Sequence, residues 1–289
     1  MKKILILTDF SKNATAAAEA GYRIAARMHK DVLLYNSYIK YPSLTGYAAG
    51  AWLVDEFIDR ERQSKKNLQF VMEGLESLGV DLSANDRAPR IDTLCEDCDL
   101  GQAMDSISDT KNIELIVMGA KNEKQQGDTF LYGADTTAVI ENARQPILIV
   151  PEGWSIENLR EVIYATDFEE GDIKAIHHLT RFGSSFHLMI NIIHVNEKNA
   201  REVCRYEEKE TSFRQSVAGL KYPGLIYHDL NGKDTLDRLQ RLLKEKQGSM
   251  LAMLHMQNSY LIRLFQHSLV TQVIKHQKSA LLIYPSKME

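Results

Sequence analysis

Short apolar runs of strand length recur along the chain, and stretches with apolar residues three or four apart lie between them. The run at 4–7 reads as a strand. Ser11 then offers an N-cap, and Ala17, Ala20, Ile24 and Met28 share one face of a helix over 13–28. A strand at 31–38, a long helix at 53–78 closed by Gly79, a strand at 88–94 and a short helix at 100–108 follow. The most informative stretch is 113–151. Residues 113–118 are apolar and rich in β-branched side chains, as a strand buried on both faces requires. Gly119 ends it. A polar loop with Gly127 and Gly133 leads into a helix with apolar residues at 134, 138, 139 and 143, and a strand at 147–150 stops at Pro151. Strand and helix alternate throughout, which implies a mostly parallel sheet with right-handed crossovers.

After a linker at 153–158 the pattern starts again. A strand at 162–165 ends in Thr166-Asp167-Phe168, repeating the Thr8-Asp9-Phe10 that ends the first strand. Helices at 173–182, 196–219, 235–245 and 261–276 alternate with strands at 186–195, 225–230, 249–254 and 280–284. Pro285 closes the last strand as Pro151 closes its counterpart. An internal duplication accounts for this, with one α/β domain over 1–152 and a second over 159–289.

The loop between Gly119 and Ala134 leaves the carboxyl end of a parallel strand and feeds a helix. Such loops are where open α/β sheets bind ligands. Free N–H groups and the helix dipole favour a phosphate there, and glycine lets the backbone approach it. A plain crossover whose glycines only turn corners fits the spacing as well.

Composition narrows the function classes. With 289 residues and 44% hydrophobic content, the chain can build two ordinary cores. A net charge of −4 argues against a nucleic-acid partner. No apolar run is long enough to span a bilayer, and the opening MKKILILTDF reads as a strand rather than a secretory signal. Three cysteines and no signal peptide point to a reducing cytoplasm. Cys95 and Cys98 form a C-x-x-C pair, but Glu96, Asp97 and Asp99 surround it, which opposes thiolate formation. Incidental cysteines, a reversible disulfide and a metal site are the alternatives, and a zinc site lacks visible further ligands. His187 and His194 fall on one expected strand, an odd number of residues apart, and so face opposite sides. There is no G-x-S-x-G elbow, Walker lysine motif or H-E-x-x-H helix.

Thr8-Asp9-Phe10 after the first strand, Val117-Met118-Gly119 at the end of the fourth and the glycine loop together resemble the universal stress protein family. Its tandem, two-repeat members are most similar, and the likeness runs once through each half. The resemblance implies an α/β fold of two tandem five-stranded, mostly parallel sheets with helices on both faces. Such a fold is Rossmann-like and similar to the adenine nucleotide alpha hydrolases. It also implies that the halves pair as a pseudo-twofold through their fifth strands, 147–150 against 280–284, with a homodimer of whole chains as a further level. Nucleotide-binding members carry Gly-x-x-Gly-x9-Gly-Ser/Thr. Carried over, this makes Thr8, Asp9, Gly119, Asn122, Gly127, Gly133 and Ala134 the site, with ATP or AMP as ligand and no metal. The match is imperfect: Asn122 replaces a glycine, ten residues rather than nine separate it from Gly133, and Ala134 replaces the hydroxyl residue. In the second half His255 is expected at the place of Gly119, and His267 at that of the last glycine, so that site is read as lost. The function implied is a non-enzymatic, cytoplasmic stress-response regulator acting on protein partners. The alternative is a weak nucleotide hydrolase or thiol-redox enzyme.

Overall fold

Among the described residues, nine strand pairings along one sheet organise the chain. The computed structural model describes residues 2–38, 51–110, 112–120, 134–194, 203–228, 249–255 and 279–288. The strands are β1 (Lys3–Leu7), β2 (Asp31–Ser37), β3 (Ile91–Glu96), β4 (Ile113–Gly119), β5 (Ile147–Val150), β6 (Glu161–Thr166), β7 (Met189–His194), β8 (Leu225–His228), β9 (Met250–His255) and β10 (Ala280–Pro285). Among the described residues they form a single sheet in the order β3-β2-β1-β4-β5-β10-β9-β6-β7-β8. The first five and the last five repeat the same order, in mirror sequence about the centre.

Every neighbouring pair is parallel except the central one. There β5 and β10 run antiparallel, with Ile147, Leu148 and Ile149 opposite Ile283, Leu282 and Leu281. All six side chains are at most 2% exposed. Each such side chain contributes about 1.5–3 kcal/mol when buried, so the junction is a core in its own right. It also removes the edge that each five-stranded half would otherwise leave open. The expected pairing through the fifth strands is therefore seen, as one continuous sheet.

Helices α1 (Lys12–Arg27), α2 (Ala51–Ser77), α5 (Glu170–Phe186) and α6 (Val203–Gly219) cover one face. Tyr22, Ile24, Leu68, Phe182 and Phe213 pack there against the strands. Helices α3 (Leu100–Thr110) and α4 (Ala134–Asn142) cover the other, through Met104, Ile107, Val139 and Ile140. The apolar positions read from the sequence in α1, at 17, 20 and 24, are all buried.

Two boundaries differ from the sequence expectation for local reasons. The third strand starts at Ile91 rather than 88, because Pro89 has no N–H to give and the Arg90 amide turns to the Asp31 carboxylate at 3.3 Å. Helix α5 runs on to Phe186, and His187 closes it in a left-handed conformation with φ 54°. His187 thus leaves β7 altogether, and the expected placement of His187 and His194 on one strand is overturned. The helices expected over 235–245 and 261–276 lie outside the described residues.

Candidate functional site

At the carboxyl end of β1 the chain makes a tight turn through Thr8, Asp9 and Phe10. The buried Thr8 Oγ1 accepts the Phe10 N–H at 3.0 Å. The exposed Asp9 accepts the Ser11 N–H on Oδ1 at 3.0 Å. Ser11 then caps α1 by accepting from the Ala14 N–H at 3.2 Å. Phe10 is held at φ 64°. A bulky residue in that region is strained, and such strain persists where surrounding structure fixes it. Here the two side-chain bonds to the flanking amides fix it. Among the described residues no cation pairs with the Asp9 carboxylate.

Two buried asparagines hold this turn to its neighbours. Asn36, at the end of β2, donates to the Thr8 carbonyl at 2.7 Å and accepts from the Ser64 hydroxyl at 2.7 Å. Asn13, in the first turn of α1, donates to the Ala120 carbonyl just past β4. Its Oδ1 is buried with no hydrogen-bond partner among the described residues. Neither residue was read from the sequence, although a signal was present. Asn13 falls on the same helical face as Ala17, Ala20 and Ile24, and Asn36 on the same strand face as Val32 and Leu34. A polar residue at a core position of a periodic pattern is the mark to look for.

Gly119 has a packing reason to be glycine. A Cβ there would lie 2.6 Å from the Asn13 carbonyl carbon and 2.8 Å from the Ala14 nitrogen. Those are backbone atoms of α1, so the helix start and the strand end touch directly. The structure thereby brings Thr8, Asp9 and Gly119 together around the first turn of α1. Ala134 opens α4, which returns antiparallel from the same end of the sheet and so presents its amino terminus there. Asn122, Gly127 and Gly133 lie outside the described residues.

The Cys95–Cys98 pair is split by the sheet. Cys95 packs with the face covered by α1 and α2, and Cys98 with the face covered by α3 and α4. Cys98 Sγ lies 3.3 Å from the buried Tyr35 hydroxyl, which also donates to Glu96 at 3.2 Å. Among the described residues no group of three or more histidine, cysteine, aspartate or glutamate side chains is placed to hold a metal ion.

The family model described as the universal stress protein family matches residues 1–151. The chain belongs to this family. No curated protein sequence matches it. Among solved structures, a universal stress protein from Archaeoglobus fulgidus is similar over 98% of both chains, with a TM-score of 0.67 and 13% identity. A putative universal stress protein from Pseudomonas aeruginosa covers 99% of this chain and 94% of its own, with a TM-score of 0.57 and 12% identity. The cytoplasmic domain of a prokaryotic cation chloride cotransporter covers 100% and 97%, with a TM-score of 0.55 and 10% identity. At these identities the likeness shows the fold alone. No helix among the described residues is long and apolar enough to cross a membrane.

The second half of this universal stress protein repeats the turn and fills the space around it. Thr166 Oγ1 accepts the Phe168 N–H at 2.9 Å, and Phe168 has φ 62°. But Phe168 is only 4% exposed, stacked on His194 at 4.2 Å and tilted against Phe213 at 5.0 Å. Counting from the shared turn, Asp172 stands where Ala14 stands. It is fully buried and accepts from the Tyr164 and Thr166 hydroxyls, each at 2.6 Å, and from the Glu169 N–H at 3.0 Å. Burial pushes its pKa up to about 7, against the effect of those bonds. Asp167 is raised to about 6, by burial first and then by Glu169.

Strand register corrects one correspondence. In the first half Ile6 pairs with Val117; in the second Tyr164, in the place of Ile6, pairs with Ala252. Gly119 therefore corresponds to Leu254, and His255 lies one residue beyond. Gly171 in turn occupies the place of Asn13, and a Cβ on it would come within 2.9 Å of the Leu254 side chain. The small residue has moved from strand to helix. His267 lies outside the described residues.

Proposed function

We propose that this chain is a non-enzymatic stress-response regulator of the cytoplasm that takes an adenine nucleotide, ATP or AMP, in its first half only. The ligand sits where β1 and β4 end, with Asp9 facing the nucleoside and the amino terminus of α4 facing phosphate. The observation that carries this reading is the asymmetry of the two turns. Around Thr8 and Asp9 the turn is tied down by Asn36 and leaves the Asp9 carboxylate exposed. Around Thr166 and Asp167 the same turn is packed over by Phe168, His194 and Phe213. Asp9 caps its own turn, a binding role rather than a catalytic one, and protein partners read the nucleotide state.

Calorimetric titration of ATP and AMP into the purified chain tests the proposal, with Asp9→Ala and Asp167→Ala alongside. Binding at a single site that weakens in Asp9→Ala and persists in Asp167→Ala is the expected result. No heat from either nucleotide, or binding that depends on Asp167 instead, overturns it. Phosphate release above background in the same samples would replace the regulator with a hydrolase.

A further inference from the structure

A second cleft lies at the opposite end of the sheet. Helix α1 starts at the carboxyl end of β1 and returns to the amino end of β2, so its last turns face away from the Asp9 site. There Arg23 and Arg27 meet the turn that links the two halves and the end of α5. Together they enclose about 320 Å³. That is at the lower end of the range for small-molecule sites, and the junction between two halves of a fold is a usual place for one.

The lining has two parts. Its floor is apolar: Ile156 and Leu159 are buried at 3% and 2% exposure, and Phe186 is half-buried beside them. Its walls carry three guanidinium groups. Arg23 Nη1 bonds Glu157 at 2.6 Å, Arg27 Nε bonds Asp86, and Arg160 Nη1 donates to the carbonyls of Glu157 and Leu159 at 2.6 and 2.9 Å. Each arginine is thus oriented through one nitrogen, and its other nitrogens have no partner among the described residues. The matching acids are already engaged. Glu157 is taken by Arg23, and Asp86 by Arg27 and the Ser83 amide. Asp81 alone stands at the rim, exposed. Formal charges balance, but donors outnumber acceptors. Arg27 also lies over the Phe186 ring at 5.9 Å, a cation–π contact that holds the exposed face of the ring beside the arginines.

From this arrangement we infer that the inter-half cleft is a binding site for a small organic carboxylate carried on an aromatic body. The ring lies on Phe186, Ile156 and Leu159, and the carboxylate takes the fork of Arg160 with Arg23 beside it. The inference is independent of the nucleotide reading, because the two sites lie at opposite ends of the sheet.

The test is a thermal-shift and calorimetric series on the full chain with naphthoate, its neutral alcohol analogue, and acetate. Naphthoate should raise the melting temperature and give a saturable heat; the alcohol and acetate should not. Arg160 is exposed and holds only backbone carbonyls, so Arg160→Gln should leave the unliganded chain intact. It should weaken naphthoate roughly tenfold or more, as the loss of charge-assisted bonds requires. Phe186→Leu should weaken it as well. ATP titration should be the same for Arg160→Gln as for the parent. The inference is overturned if acetate acts as naphthoate does, if the alcohol binds equally, if no saturable heat appears, or if Arg160→Gln binds naphthoate as well as the parent. Competition of naphthoate with ATP would also overturn it.

Discussion

Asp172→Asn should change how stability depends on pH, and the size of the effect follows from the burial of the carboxyl. Asp172 is fully buried with no cation in contact among the described residues, and burial raises its pKa from 3.8 to about 7 in the folded chain. The folded state therefore binds this proton more tightly than the unfolded state does. The resulting stabilisation is fully present below about pH 4, is lost as pH rises, and is gone above about pH 7. Across that window it amounts to about 4 kcal/mol, at about 1.4 kcal/mol per tenfold change in proton affinity. Asparagine is neutral throughout. Its amide replaces one of the two acceptor oxygens by a donor, and the rearranged bonds to the Tyr164 and Thr166 hydroxyls cost about 1 kcal/mol at every pH. The pH-dependent part is separate: between about pH 5 and pH 8 the parent should lose about 2–3 kcal/mol that the variant keeps. Urea unfolding at the two pH values reads this directly. Asp167, raised to about 6, titrates in both proteins and largely cancels in the difference. A gap between parent and variant that stays constant from pH 5 to pH 8 would refute the reasoning.

Two further substitutions test the packing. Gly119→Ala places a methyl 2.6 Å from the backbone of α1, where no flexible side chain can yield. It should destabilise by about 1–3 kcal/mol, and an unchanged melting temperature would show that strand and helix do not touch as described. Ile149→Lys puts an ammonium into a position 1% exposed at the β5–β10 junction. Lost burial and the cost of the charge together should lower the melting temperature by roughly 10 °C or more; a shift of only a degree or two in a thermal melt would mean the halves do not share one sheet.

The duplication and the alternation of strand and helix were legible because each rests on long-range repetition of simple patterns, whereas the central pairing was expected only through the family resemblance. Apolar runs such as 147–150 and 280–284 can only be buried strands, and the second Thr-Asp-Phe announces the second copy. What was not legible lies in how a helix meets a strand. Gly119 reads equally as a phosphate-approach glycine or a packing glycine, and only the distance to Asn13 and Ala14 shows the second role. His187 was read as strand because His187 to His194 continues an apolar run, while its left-handed backbone, which ends α5, leaves no mark in composition. Asp172 reads as an ordinary first-turn acid; its burial depends on Tyr164 and Thr166 reaching it from β6. The separation of Cys95 from Cys98 depends on β3 running on to Glu96, two residues past the end expected from the sequence.

The two halves meet one packing problem with opposite solutions, and the difference bears on function. Each needs a small residue where the helix after its first strand crosses the end of its fourth. The first half puts it on the strand, as Gly119, and a polar side chain on the helix, as Asn13. The second puts it on the helix, as Gly171, and an apolar side chain on the strand, as Leu254. Both preserve the close crossing, so both preserve the fold. Only the first keeps a glycine at the strand end, where a ligand's phosphate would approach backbone, and only the first leaves its aspartate exposed beside that glycine. In the second half the same crossing is capped by Leu254, the turn by Phe168, and the helix start by the buried Asp172. A half that had lost its ligand but still had to pair through β10 would be free to fill its site with apolar and hydrogen-bonded side chains, and this is the pattern the second half carries.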